Sequence, residues 1–176
     1  MVLAALLLTA ALPAGAFAAS EAAPSVSWNV TFSPENNNKF DAVAPTADGG
    51  YIALGSALTE VYGGKEDLLL VKTDGNGTHV WNRTFPDIAP ASVAETADGG
   101  YIIGAYNVST AGSDQNITYQ GTSFLIRTDA AGTEEWRQVL PGMMVSSVAE
   151  TSDGGYAVIG WLWSRSESID DTDRIG

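Results

Sequence analysis

Three aspartates are the first candidates for chemistry in this chain. Asp48, Asp98 and Asp153 each occupy the same short segment, Thr-x-Asp-Gly-Gly-Tyr. Carboxylates can act as general acids or bases, and in groups they can bind metal ions. These aspartates recur in every copy of the segment, however, whereas an active site is normally a single departure from a repeated pattern. The recurrence predicts tight turns in which each carboxylate accepts hydrogen bonds from the nearby backbone.

A second pair of aspartates has the same character. Asp74 begins the run Asp-Gly-Asn-Gly, and Asp129 begins Asp-Ala-Ala-Gly. The first run faintly resembles a calcium-binding loop, but it lacks the later glutamate of an EF-hand. Both runs therefore predict hairpin turns, with glycine at positive φ, and we assign no metal site to them.

His79 is the one histidine in the sequence, and there is no cysteine. A zinc site or a histidine-based catalytic triad needs partners that this chain does not offer. The position of His79, two residues before Trp81, predicts that the two side chains share one strand face. The sequence thus identifies no catalytic, cofactor-binding or metal-binding residue.

The turns belong to a longer repeat. Trp28, Trp81 and Trp136 recur at spacings of 53 and 55 residues, and the segment 71–85 (VKTDGNGTHVWNRTF) matches 126–140 (IRTDAAGTEEWRQVL). Each unit predicts two hairpins, and no helical periodicity appears in it. Four short antiparallel strands in about fifty residues are typical of one blade of a β-propeller. Trp81 and Trp136 are then expected to pack between neighbouring blades.

The predicted fold is all-β: an incomplete β-propeller of about three four-stranded antiparallel blades, after an N-terminal signal-peptide helix. The propeller region is 20–176, and its units are about 28–80, 81–135 and 136–176. The last unit stops just inside a strand, and propellers typically close with at least four blades. This favours an N-terminal fragment of a longer protein, while a natural short form and oligomers that pool blades remain open.

Residues 1–19 are predicted to form a signal peptide. An uncharged apolar run from Val2 to Leu12 is followed by Pro13, Gly15 and the small-x-small pattern Ala16–Ala18. The run is short for a membrane span. No Lys or Arg precedes it, and a retained N-terminal anchor remains the alternative.

One irregularity appears in the second repeat. The glycine that ends the apolar strand at Gly55 and Gly160 is displaced by one residue, to Gly104. The displacement predicts a small β-bulge at that point of the second unit.

The motif Thr-x-Asp-Gly-Gly-Tyr, followed by Leu-x-[Lys/Arg]-Thr-Asp-x-x-Gly-x-x-x-Trp, resembles the repeats of exported β-propeller-like proteins of archaea and bacteria. The resemblance covers essentially all of 28–175. It implies the propeller fold and export to the cell exterior. It implies no reaction, because that group shares none.

Composition narrows the range of partners. Eight Lys and Arg stand against 21 Asp and Glu, a net charge of −13. This argues against nucleic acid and against an anionic membrane surface as partners, because binding to either needs a basic surface on the protein.

The segments 58–66, 107–121 and 162–172 vary in length and sequence between units, and variable loops on one face of a repeat scaffold are typical binding sites.

Five Asn-x-[Ser/Thr] triplets predict N-glycosylation, although Asn and Thr also suit turns and edge strands. Their asparagines are Asn29, Asn76, Asn82, Asn107 and Asn116. Asn82 follows Trp81 directly, so alternation along a strand predicts that Asn82 points outward where Trp81 packs inward.

The sequence favours an exported, cell-surface β-propeller that serves as a binding or structural module without catalysis. Its expected partner is an extracellular protein or glycan on the variable-loop face. It is expected to be secreted or at the cell surface. The alternative is part of a propeller enzyme, either quinoprotein-like or glycan-cleaving, whose catalytic residues lie in further blades.

Overall fold

The computed structural model describes residues 29–30, 32, 38–58, 66–111 and 118–162. The predicted signal peptide, Trp28 and Asn116 lie outside the described residues. Ten strands are present: β1 (Asn38–Pro45), β2 (Tyr51–Leu58), β3 (Glu66–Thr73), β4 (His79–Phe85), β5 (Ala89–Glu95), β6 (Tyr101–Ala111), β7 (Thr118–Thr128), β8 (Glu134–Pro141), β9 (Met143–Glu150) and β10 (Tyr156–Leu162).

These strands form three antiparallel sheets, and none closes on itself within the described part of the chain. The first sheet has the order β1-β2-β3-β4, the second has β5-β6-β7-β8, and β9 pairs with β10 in the third. The all-β prediction is confirmed, and so is the four-stranded antiparallel order expected for a blade in the first two sheets. The third sheet has two strands in its described part.

The apolar side chains lie between consecutive sheets because both faces of the middle strands are hydrophobic. One core joins the first two sheets and contains Leu54 and Leu70 from the first and Tyr101 and Ile103 from the second. Ile102, next along β6, points to the other side and packs with the third sheet. The period of two along β6 thus directs alternate residues into two different cores.

The sheets follow one another with a fixed orientation. β5 lies against β1, β2 and β3, and β9 lies against β5, β6 and β7 in the same way. The first strand of each sheet is therefore the neighbour of the first strand of the sheet before it.

A β-bulge occurs at the same place in all three sheets. The register shifts after Phe40, Pro90 and Val145 on the first strand of each sheet. The predicted bulge is thus present in the second unit, but it is a property of every unit and not a result of the displaced glycine.

Gly104 has a different reason to be small. A Cβ on this residue would lie 2.9 Å from a methyl group of Val148 and 3.0 Å from one of Val145, both in the third sheet. A side chain there would keep the third sheet from approaching, so Gly104 is required by packing between sheets.

The two glycines of the Asp-Gly-Gly turn are needed for different reasons in the first two sheets. Gly99 has φ +84°, the left-handed conformation predicted for the turn. Gly100 does not have a positive φ; a Cβ there would lie 2.3 Å from the carbonyl oxygen of Thr128. The prediction of positive φ is therefore confirmed for the first glycine, while the second one avoids a backbone collision.

We expect Gly99→Ala to reduce the free energy of unfolding by roughly 1–2 kcal/mol, the cost of a side chain in the left-handed region. Gly100→Ala should cost more, because the strand carrying Thr128 must move to accept the new methyl group. Urea unfolding followed by far-UV circular dichroism measures both values, with the exposed Ser152→Ala as control. Equal costs for the two variants would contradict this division of roles.

Candidate functional site

One end of the sheets, the tight-turn end, contains the Asp-Gly-Gly turns with Asp48, Asp98 and Asp153. In the first turn, Asp48 accepts hydrogen bonds from the Thr46 hydroxyl at 2.5 Å and from the Gly50 N–H at 3.0 Å. Asp98 repeats this arrangement with Thr96 and Gly100, and Asp153 repeats it with Thr151 and Gly155. The prediction that these carboxylates stabilise turns is confirmed.

A buried cation from the third strand completes the first two turns. The Lys72 ammonium group lies 2.9 Å from Asp48 Oδ2, and the Arg127 guanidinium group lies 2.6 Å from both carboxylate oxygens of Asp98. Both basic side chains are buried, while the carboxylates remain largely exposed to solvent. Since burying a cation without a counter-ion costs free energy, these two aspartates have a structural role as the counter-ions of Lys72 and Arg127.

The electrostatics of the turns follow from these contacts. The Lys72 ammonium, the Thr46 hydroxyl and the Gly50 N–H hold the pKa of Asp48 well below its ordinary value. The pKa of Asp98 is lowered chiefly by the hydrogen bonds from Thr96 and Gly100, with a further contribution from the charge of Arg127. Carboxylates held in the ionised form are poor general acids near neutral pH.

The second type of turn uses its aspartate in a simpler way. Asp74 Oδ1 accepts hydrogen bonds from the backbone N–H groups of Asn76 at 2.9 Å and Thr78 at 2.8 Å. Asp129 accepts the corresponding bonds from Ala131 and Thr133. The hairpin prediction is confirmed for both.

A glutamate links the Asp-Gly-Gly turn of each of the first two sheets to the sheet that follows. Glu95 of β5 accepts a hydrogen bond of 2.6 Å from the N–H of Ala47, and Glu150 of β9 accepts one of 2.6 Å from Ala97. We call this contact the glutamate latch. No role was predicted for these glutamates from the sequence. Each stands six residues before the tyrosine of an Asp-Gly-Gly-Tyr segment, so their recurrence was visible as part of the repeat.

Trp81 packs between sheets as predicted. Its ring meets Tyr101 of the second sheet edge-on, with the ring centroids 5.9 Å apart, and lies against Gly132 in the β7–β8 turn. Trp136 and Tyr156 repeat the edge-on contact at 5.6 Å. Burial in this interface raises the pKa of Tyr101 to about 12.

The predicted placement of His79 is wrong. Thr73 pairs with His79 and Lys72 pairs with Trp81, so Val80 is an extra residue that places His79 and Trp81 on opposite faces. The His79 ring lies near Phe32, on the side of the first sheet away from the second. The bulge next to the turn could not be read from the spacing alone.

The opposite end of the sheets has connections of unequal kind. Asp67, at the start of β3, accepts a hydrogen bond of 2.8 Å from the N–H of Asp87, a residue with φ 58° between β4 and β5. Gly142 stands at the matching place in the next unit, also at positive φ, and Thr122 replaces Asp67. The predicted variable loops begin at this end, and 59–65, 112–117 and 163–176 lie outside the described residues. The prediction of a loop over the whole of 107–121 is wrong, because 107–111 belong to β6 and 118–121 to β7, where they pair with one another.

The sequon asparagines occupy different surroundings. Asn76 and Asn82 are exposed, and Asn82 lies on the opposite face of β4 from Trp81, as predicted. The Asn107 side chain donates a hydrogen bond to the Asp87 carbonyl. Asn29 precedes the first strand, outside any described element.

Among the described residues, no three His, Asp or Glu side chains are grouped closely enough to hold a metal ion. The same part of the chain has no helix long and apolar enough to cross a membrane. Comparison with protein-family models, curated proteins and solved structures found no match for this chain.

The glutamate latch can be measured by a double-mutant cycle. Ala97 is the second residue of a four-residue turn closed by the hydrogen bond from Gly99 to Thr96, a position where proline fits. Ala97→Pro therefore removes the donor and keeps the turn, and Glu150→Ala removes the acceptor. We expect a coupling energy of about 1 kcal/mol between the two changes in urea unfolding.

Ser152→Pro is the matched control, because Ser152 holds the same turn position in the third sheet and no described carboxylate reaches its N–H. It should show no coupling to Glu150→Ala. Additive effects of Ala97→Pro and Glu150→Ala would contradict the latch.

The lowered pKa of Asp98 predicts a pH dependence with a definite sign. A carboxyl group whose pKa is lower in the folded state stabilises the fold above its ordinary pKa of about 3.9, and this contribution is lost as the pH falls toward the folded value. Wild type should therefore exceed Asp98→Asn in stability at pH 6, and the difference should shrink from about pH 5 to pH 2. At pH 6 Asp98→Asn should be destabilising, because asparagine can keep the turn hydrogen bonds but removes the negative charge beside the buried Arg127.

Denaturant unfolding at several pH values measures this difference. Asp153→Asn is the comparison, because Asp153 accepts the same turn hydrogen bonds, which lower its pKa, but has no described cationic partner; its pH-dependent difference should be smaller. A difference that grew as the pH fell would reverse the assignment.

Proposed function

We propose that this chain forms part of an exported β-propeller and acts as a binding or structural module at the cell surface, without catalysis. The observation that carries the proposal is the contrast between the two ends of the sheets. At one end the described aspartates are used in turns and ion pairs, while at the other end the connections differ from unit to unit.

The regular relation between sheets supports the propeller. Each first strand neighbours the previous first strand, and each fourth strand lies at the far edge of its sheet. Sheets that meet by their first strands and diverge toward their fourth strands are arranged as blades around an axis. The cores between sheets and the glutamate latch repeat from one interface to the next.

The absence of catalysis is proposed from the use of the titratable groups. Asp48 and Asp98 neutralise buried cations, and Asp74 and Asp129 accept backbone hydrogen bonds. If one of these carboxylates were protonated or bound another group, it would lose these contacts and the fold would be less stable.

Binding is assigned to the end opposite the tight turns. The segments 58–66, 107–121 and 162–172 leave the strands at this end, where extracellular proteins or glycans are the proposed ligands. Export through the signal peptide 1–19 and N-glycosylation are part of the same proposal. Asn29, Asn76 and Asn82 are exposed, whereas Asn107 is half-buried.

The proposal is tested by exchanging the segment 107–121 for 58–66 in the full chain and screening both proteins on arrays of surface glycans and extracellular proteins. We expect the wild type to bind a ligand, and the exchange to reduce its affinity at least about tenfold, while the far-UV spectrum keeps its β-sheet form apart from the loss of the paired ends of β6 and β7. The reason is that the paired strands can close with a shorter connection, whereas the contact groups of the longer one are lost.

Asp153→Asn is the matched control at the other end and should leave binding intact, because no described cation depends on Asp153. Ligand binding that survives the exchange but is lost in Asp153→Asn would place the functional surface at the tight-turn end. Turnover of a glycan by the wild type would contradict the absence of catalysis.

A further inference from the structure

The face of β10 that points away from the second sheet is strongly apolar and exposed. Ile159 is 65% exposed and Trp161 is 57% exposed. The matching positions in the first sheet are Leu54, which is 0% exposed, and Ser56, which is 1% exposed. The first of these lies in the core against the second sheet.

The second sheet shows the same use of this face. Ile102 is fully buried against Val145 and Val148 of the third sheet, and Gly104 closely approaches the same two valines. The face of each unit that holds these positions is thus covered by the first two strands of the next sheet in both interfaces described.

A second observation also indicates that the third sheet has room for a neighbouring sheet on this face. Ala47 and Ala97 donate their turn N–H groups to Glu95 and Glu150 of the following sheet. Ser152 occupies this position in the third turn, whose backbone bonds between Thr151, Gly154 and Gly155 are the same as in the other two. No carboxylate among the described residues reaches the Ser152 N–H.

We infer that the outward face of the third sheet is a docking surface for a further repeat sheet that carries a glutamate at the position of Glu95 and Glu150. Its apolar residues would cover Ile159 and Trp161, and its carboxylate would accept the hydrogen bond from Ser152. This inference rests on the two described interfaces and is independent of the proposed ligand-binding role.

The first sheet of a second copy is a nearly suitable occupant. Its face away from the second sheet presents Val43, which is 57% exposed, where the second sheet has the buried Val93. Pro45, however, pairs with Tyr51 where Glu95 pairs with Tyr101 and Glu150 pairs with Tyr156. A second copy therefore brings the apolar surface without the carboxylate.

This mismatch allows a gain-of-function test. Pro45→Glu gives the first sheet of the full chain the glutamate that a docking sheet needs, and Pro45→Ala removes the proline without adding a carboxylate. We expect sedimentation equilibrium to show a self-association constant at least about tenfold tighter for Pro45→Glu than for Pro45→Ala, because a charge-assisted hydrogen bond is added at the contact.

Two further changes locate the contact. Ser152→Pro in the Pro45→Glu background removes the N–H donor and should return association to the Pro45→Ala level, whereas Ser152→Ala should preserve the gain. Ile159→Asp should abolish the association of Pro45→Glu. If Pro45→Glu does not fold, as judged by circular dichroism, Pro45→Gln replaces it with a smaller expected gain, since the amide oxygen is still an acceptor.

The inference is overturned if Pro45→Glu and Pro45→Ala associate equally, or if the gain survives Ser152→Pro. It is also overturned if the wild type already associates as tightly as Pro45→Glu and loses this in Ile159→Asp. That result would mean that a second copy docks on this face without the latch.

Discussion

Both faces of the central strands are apolar, and this requires each sheet to be covered on two sides. In β6 adjacent residues point in opposite directions, so that Ile102 packs with the third sheet and Ile103 packs with the first. One four-stranded sheet cannot bury both sets by itself. Its stability therefore depends on the neighbouring sheets, and the contacts between sheets hold the whole structure together.

Several ion pairs and hydrogen bonds set the distance and orientation of the sheets at those contacts. The buried Lys72 and Arg127 lie beneath the turns that the glutamate latch fastens from the next sheet. Polar contacts also replace apolar ones where a local change requires it. The N–H of Val145 bonds the buried Ser123 hydroxyl, whereas the matching residue of β5 is Pro90, which has no N–H, and Leu68 stands in place of Ser123. Each interface thus satisfies its own backbone groups.

The concentration of these devices at one end has a consequence for function. These turns must fit against the next sheet, donate an N–H group to its glutamate and neutralise a buried cation. Their length and sequence therefore have little freedom to vary. Connections at the other end close strands that are already paired, so their length and sequence can differ at little cost to the fold. The proposed ligand surface and the scaffold therefore lie at opposite ends of the same strands.

The sequence by itself determined the strands, the hairpins and the roles of the turn aspartates. These depend on local patterns: alternation along a strand, glycine in the left-handed region, and a carboxylate two residues from the N–H it accepts. Only the tertiary structure decided which cation meets Asp48 or Asp98, because Lys72 and Arg127 are 24 and 29 residues away along the chain. The tertiary structure also determined which N–H group Glu150 accepts a hydrogen bond from and on which face of β4 His79 lies. It further explains why residue 104 must be glycine. A bulge of one residue or the approach of a neighbouring sheet changes these contacts without leaving a distinct local pattern, so they follow from how the sheets pack together.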